Sequence, residues 1–288
     1  MNYLIKSLIL LIMASLSNGA LLANLYEGFD FDAKKNESLG LTKTLSGATS
    51  YGWTNGWKLG SGRALFSIED ISFDQLESTG GSVVIKGEKR NANFFGKGFA
   101  TRQTNVAYEG EIYGSFRIVP GFMTEDTVVG MVFSLPNVAE MSVRNGLFAI
   151  CPKRWGGPLG MVGAKGKTYK VVEGNPCLKG REYLVIWKMV DLPKMGDAAD
   201  VSIEFWVLNT EQVDYFASKQ FEDKFLSLAE PGDLKNQVSQ YGRKDLKDTK
   251  RSLYKGIVMT PFVFNTNNVK FDEIKISTKG IKDAVGLK

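Results

Sequence analysis

Apolar and polar residues alternate along this chain in short runs bounded by turn residues. The clearest runs are GSVVIKG (81–87), EIYGSFRIV (111–119), VVGMVFSL (128–135), NGLFAIC (145–151), YLVIWKMV (183–190), VSIEFWVLN (201–209), GIVMTPFVF (256–264) and VKFDEIKIS (269–277). In 111–119, Ile112, Phe116 and Ile118 alternate with Tyr113, Ser115 and Arg117, the pattern of a strand with one wet face. YLVIWKMV is almost continuously apolar and predicts a central strand covered on both faces. In VSIEFWVLN, Val201, Ile203, Phe205 and Val207 point one way, and Glu204, Trp206 and Leu208 the other. Helical periodicity is confined to about 211–230, where Phe216, Phe221, Phe225 and Leu228 predict one short amphipathic piece. Many strands, little helix and repeated glycine-rich loops predict an all-β fold, a two-sheet antiparallel β-sandwich of the jelly-roll kind. No repeat or low-complexity linker interrupts it, so residues 24–288 are expected to form a single domain.

The last run carries an irregularity. Val269 and Phe271 are apolar at odd positions, and Ile274 and Ile276 at even ones. The phase slips at Asp272–Glu273, which predicts a β-bulge with a structural role.

Composition sharpens the picture at the N-terminus. Lys6 precedes an apolar run from Leu8 to Leu16, and the small residues Ser17, Gly19 and Ala20 follow. These are the parts of a secretory signal peptide, residues 1–20, with cleavage expected between 19 and 23. The run is well short of the roughly 20 residues a membrane-spanning helix needs, and no second long apolar segment follows, so no transmembrane segment is expected in the mature chain. A secreted or periplasmic protein is expected, which makes nucleic acid an improbable partner. In that compartment the two cysteines, Cys151 and Cys177, are expected to form a disulfide. Such a bridge would be worth roughly 3–4 kcal/mol on the chain-entropy model.

The chain has no histidine. Ser-His-Asp and Cys-His nucleophilic sites and histidine-bearing zinc sites are therefore excluded. Carboxylate pairs, Tyr, Lys or Arg chemistry and oxygen-ligated calcium survive. Between 235 and 255 lie Lys235, Arg243, Lys244, Lys247, Lys250, Arg251 and Lys255 against Asp245 and Asp248, an excess equal to the net charge of +5 of the whole chain. This basic insert reads as a solvated segment, with contact to an acidic polysaccharide or an anionic surface as the sharper alternative.

Three stretches together resemble a known family. NLYEGFDF (24–31) follows the leader, YGWTNGWKLGSG (51–62) comes about twenty residues later, and FDEIKIST (271–278) closes the domain. The set resembles exported LamG-like, concanavalin A-like jelly-roll domains of planctomycete and verrucomicrobial bacteria. NGLFAICPKRWGGPLGMVG (145–163) is similar to their mid-domain glycine-rich hairpin, and IEFWVLNT (203–210) to a strand that precedes an Asn-Pro step, here Asn209-Thr210. The resemblance implies a fold far more than a function. It implies for Trp53 and Trp57 a packing role at the sandwich edge, beside stacking on a sugar as the other reading.

The chemistry weighs toward binding. Retaining glycoside hydrolysis needs two carboxyls about 5–5.5 Å apart, and no Glu-x-Asp-x-x-Glu arrangement occurs. Glu109 and Glu111 lack a third acid, while the adjacent pairs Glu69-Asp70 and Asp272-Glu273 point to opposite faces of a regular strand. Tyr113 with Arg117 is the one combination suited to a polysaccharide lyase. GMVGAKGKT (160–168) has the wrong spacing for a phosphate-binding loop and reads as a glycine-rich hairpin. Asp30, Asp32 and Asp272 are candidate donors for a structural calcium, provided the first and last strands pair. For a glycan, Trp155 in the turn PKRWGG, with Glu204 and Trp206 on one strand face and Trp53 and Trp57, make the candidate ligand-binding set. The expected function is that of a secreted, non-enzymatic jelly-roll module that binds a glycan or serves in a cell-surface assembly. The alternatives are a carbohydrate-active enzyme on the same fold and a purely structural surface protein.

Overall fold

A computed structural model describes residues 25–28, 51–52, 58–61, 63–67, 69–86, 89–91, 94–95, 98–103, 108–120, 128–134, 146–150, 160–162, 168–170, 172–174, 177–178, 180–192, 198–232, 234–250, 258–264 and 269–288. In chain order the strands are β1 Leu25–Glu27, β2 Lys58–Ser61, β3 Arg63–Ser67, β4 Ser82–Lys86, β5 Lys89–Asn91, β6 Phe94–Phe95, β7 Gly98–Gln103, β8 Gly110–Pro120, β9 Val128–Ser134, β10 Gly146–Ile150, β11 Gly160–Val162, β12 Thr168–Lys170, β13 Val172–Gly174, β14 Tyr183–Leu192, β15 Ala198–Leu208, β16 Gln240–Lys250, β17 Val258–Phe264 and β18 Val269–Ser277. Three helices lie among the described residues: α1 Thr210–Ser218, α2 Asp223–Leu226 and α3 Ile281–Val285.

The described strands form two large antiparallel sheets, as expected of a two-sheet jelly-roll sandwich, and a separate two-stranded ribbon of β5 and β6. One has the order β13-β16-β15-β14-β8-β18-β4-β3 with β1 also on β18, and the other β12-β11-β10-β9-β17-β7-β2. The sheets approach each other where β4 lies against β7 and β17. Gly160–Val162 and Thr168–Lys170 pair antiparallel, so the glycine-rich stretch is a hairpin and not a phosphate loop.

The first and last strands do pair. β1 runs beside Ile274–Ile276, and β4 beside Val269–Phe271, so the two share one edge of β18. The register of β18 on β8 slips between Asp272 and Lys275, and Glu273 has a φ of 49°. This is the expected bulge, and it lies where β18 changes partner from β4 to β1.

The central part of the larger sheet is buried on both faces. Ile112, Phe116 and Ile118 of β8, Val185 and Trp187 of β14, Phe205 and Val207 of β15, and Phe271 of β18 fill one face. Gly114 stands directly opposite Trp187, and a Cβ there would overlap the indole. On the opposite face Leu184, Ile186, Trp206 and Leu208 pack against Val213, Phe216, Phe221 and Leu226 of the α1–α2 region, against Ile71, Phe73 and Leu76, and against Ile281 and Val285 of α3. Asn209 caps α1 reciprocally with Gln212, and Gln212 then reaches Gly232 O at 2.9 Å and accepts from Ser239 Oγ at 2.7 Å. The cap thereby holds the helix and the 230–239 segment together.

That second layer corrects several expectations. Trp206 is 0 % exposed, enclosed by the helices, and offers no ring face to a ligand. Ser115 and Arg117 are buried beneath the segment 69–80 and α3, so much of the expected wet face of β8 is dry. Phe216 and Phe221 are buried as the helical pattern required, but Leu228 is 80 % exposed. Residues 240–250 of the basic stretch are strand β16, paired with β15, with Arg243 and Asp245 exposed. Cys177 carries a free thiol that is buried, and burial raises its pKa far above the ordinary thiol value; the expected disulfide is not formed.

Candidate functional site

Two polar constellations stand out among the described residues, one closed and one open. The closed one surrounds the bulge. Arg117, 1 % exposed, donates from Nη1 to Ile71 O at 2.7 Å and from Nη2 to Glu77 O, with its guanidinium 5.6 Å from the Phe73 ring centroid. Asp272 accepts from Ile71 N on one oxygen and from Glu273 N on the other, each at 2.8 Å. Glu273 accepts from Thr79 N at 2.9 Å and from the Tyr26 hydroxyl at 2.8 Å. Three ionisable side chains of β8 and β18 thus grip the backbone of 69–80. Burial pushes the Asp272 carboxyl up to about 8, against the lowering influence of the Ile71 N–H and the Arg117 charge. Burial and the Glu273 charge also raise the Tyr26 phenol well above its ordinary value.

Asp272, expected as a calcium donor, here accepts one backbone N–H group on each of its oxygens. Among the described residues no group of three His, Cys, Asp or Glu side chains could hold a metal ion. Asp30 and Asp32 lie outside the described residues.

The open constellation crosses the larger sheet beyond the edge of the helical cover. Tyr113 pairs with Lys188, Lys188 with Glu204, and Glu204 with Arg243, so four neighbouring strands set these side chains abreast on one face. In the next row Ser202 pairs with Asp245. Lys188 Nζ lies 2.9 Å from Glu111 Oε1 and 2.7 Å from Asp223 Oδ2 of α2, and 5.5 Å from the Tyr113 ring centroid. Glu204 Oε1 accepts from the Tyr241 hydroxyl at 3.0 Å and lies 3.5 Å from Arg243 Nη1. Asp245 Oδ1 lies 3.7 Å from Arg243 Nε and accepts from Ser202 Oγ at 2.8 Å.

The charges in this band are set by one another. Partial burial works against the Lys188 charge, but hydrogen bonds to Asp223 and Glu111 outweigh it and raise its pKa above the ordinary lysine value. Burial likewise disfavours the Glu111 carboxylate, and hydrogen bonds from Lys188 and Tyr113 overcome that and lower its pKa. Burial, reinforced by Glu111, pushes the Tyr113 phenol up to about 12. Burial and the charge of Glu204 do the same to Tyr241, also to about 12.

Of the residues expected to bind a ligand, the structure places Glu204 in this band and Trp206 in the core. Trp53, Trp57 and Trp155 lie outside the described residues, as does Cys151. The lyase pairing of Tyr113 with Arg117 is not made: Tyr113 meets Lys188 instead, while Arg117 is sealed under the 69–80 segment. Lys188, Tyr241 and Asp223 were missed because the band is a property of strand register, and Arg243 was read only as part of the basic stretch. One signal was present, since Lys188 is the single cation in the apolar run YLVIWKMV.

No protein-family model matches the chain, and its sequence matches no curated protein. Among solved structures, the chain is similar to the alginate lyase Aly36B, with 9% identity and a TM-score of 0.37 over 90% of this chain and 98% of that one. It is similar to the carbohydrate recognition domain of Emp46p, with 10% identity and a TM-score of 0.39 over 78% and 89%. A structure from work on endo-acting O-glycanases of the human gut microbiota gives 8% identity and a TM-score of 0.44 over 88% and 97%. Identities this low leave the function to be read from the chain's own side chains.

Proposed function

We propose that the chain is an exported, non-enzymatic jelly-roll module that binds a glycan along the open polar band of its larger sheet. The observation that carries this reading is the register that sets Tyr113, Lys188, Glu204 and Arg243 abreast on four neighbouring strands. Four strands cover roughly 14 Å at the usual strand spacing, room for more than one sugar ring. The leader at residues 1–20 supports export, where extracellular glycans are met.

The same geometry disfavours catalysis. A general base works best with a pKa near the operating pH, yet both phenols of the band are pushed up to about 12. The carboxylates are held by cations and a phenol: Glu111 and Asp223 by Lys188, Glu204 by Tyr241 and Arg243. Side chains fixed in this way lose little freedom when a ligand arrives, which favours binding.

The test is migration of the purified mature protein through native gels containing each of a panel of polysaccharides, beside Lys188→Ala and Glu204→Gln. Retardation by at least one polysaccharide is expected, weakened about tenfold or more in Lys188→Ala, as loss of a charged hydrogen-bonding group worth about 1.5–3 kcal/mol requires. Each variant's unfolding midpoint is measured in parallel, so that lost binding is read only from folded protein. Release of new reducing ends or of an unsaturated product would replace binder with enzyme. Migration unaffected by every polysaccharide would end the binding proposal.

A further inference from the structure

Resting on that reading, we infer that the ligand of the band is an uncharged, hydroxyl-rich polysaccharide and not a polyuronate. The described charges of the band are two cations, Lys188 and Arg243, against four carboxylates, Glu111, Asp223, Glu204 and Asp245, a net charge of −2. Each cation already has two carboxylates within 4.0 Å: Lys188 at 2.9 and 2.7 Å, Arg243 at 3.5 and 3.7 Å. A uronate entering here would have to displace one of these partners while facing the others. Like charges this close repel, and a partly buried setting screens them less than bulk water does.

The hydrogen-bonding inventory points the same way. Each ionised carboxylate accepts at two oxygens with about four lone-pair sites, and the contacts at Asp223 and Asp245 each engage one oxygen. Glu204 likewise uses Oε1 for both Tyr241 and Arg243. The band is therefore richer in acceptors than in donors. A ligand that supplies many O–H donors and no anion suits it, and hydrogen bonds to ionised acceptors are roughly twice as strong as neutral ones. A neutral polysaccharide has that chemistry.

The experiment compares neutral glucans, mannans, xylans and galactans with alginate and pectate, using the mature protein at low and at physiological salt. Tighter binding of at least one neutral polymer is expected, with an affinity that changes less than twofold between the two salts. The double variant Glu204→Gln, Asp245→Asn is expected to weaken neutral binding about tenfold and to leave polyuronate binding unchanged or improved. If it does not fold, the ranking of polymers by the unaltered protein decides alone. Tighter binding of alginate or pectate, lost as salt rises, would overturn this inference and leave the glycan-binding reading standing. Failure to bind any polymer would overturn both.

Discussion

Asp272 and Glu273 are adjacent acids, 0 % and 1 % exposed, set beside the buried guanidinium of Arg117. The other charged or titratable groups around them are Tyr26, Glu27, Glu77, Glu182, Lys270 and Lys275, contributed by β1, the 69–80 segment, the approach to β14, and β18 itself. With the Asp272 carboxyl at about 8 in the fold and 3.8 as its ordinary value, the folded state holds a proton that the unfolded chain has released. Stability therefore falls as pH rises from about 4 to about 8, and this contribution is flat above and below that window. Urea midpoints at acid and mildly alkaline pH should show the fall, and Asp272→Asn should remove it. The variant should also cost about 1–2 kcal/mol at acid pH, because a carboxamide can accept only one of the two N–H groups that Asp272 now satisfies. A slope unchanged by the substitution would mean that another buried acid titrates. The sequence betrayed the bulge here through its phase slip, but not the burial of the acids. Two charges in a row look the same whether water or backbone N–H groups receive them.

At the scale of elements, β8 and β14 illustrate how tightly the central sheet is packed. Gly114 faces Trp187 in register, and the indole occupies the volume a side chain at 114 would need. Gly114→Ala should therefore destabilise by about 1–3 kcal/mol, the usual cost of overpacking a core. A calorimetric melt unchanged from the parent would show that the indole can move aside at no cost. The strands themselves were legible: all eight runs of alternation became strands, from β4 to β18. What alternation could not show was cover. Tyr113, Ser115 and Arg117 read as a wet face because they are polar, and Trp206 read as a platform because it shares a face with Glu204. In the fold the helical layer ends between Trp206 and Glu204, burying the first and leaving the second at the rim. Strand β16 was hidden for a related reason, since Arg243 and Asp245 on its open face look like the charges of a loop. Its pairing with β15 rests on backbone hydrogen bonds that side-chain polarity does not report.

At the scale of the whole molecule, the two ends of the chain close the same sheet. β1 lies on β18, with Leu25, Tyr26 and Glu27 all buried, and its Tyr26 hydroxyl bonds both Glu273 and Thr79. Gly28 lies so close to Thr79 and the Tyr26 phenol that a Cβ there would overlap both. The 69–80 segment, the bulge and β1 therefore meet as one unit: the segment supplies the carbonyls that Arg117 bonds and the Ile71 and Thr79 N–H groups that Asp272 and Glu273 accept, and β1 supplies the Tyr26 hydroxyl to Glu273. The expected signal cleavage between 19 and 23 ends just short of β1, so a chain beginning at residue 23 retains this whole contact. A chain beginning at residue 29 loses Leu25 and Tyr26 from the core, and Glu273 loses its phenol donor. Burial of the two side chains alone is worth about 3–6 kcal/mol. A loss of that size consumes much of the 5–15 kcal/mol that separates a typical domain from its unfolded state. Urea unfolding of the two chains, starting at 23 and at 29, is the direct comparison. A midpoint preserved in the shorter chain would show that β1 merely lies on the sheet, and would detach the N-terminus from the buried charge cluster that organises this side of the sandwich.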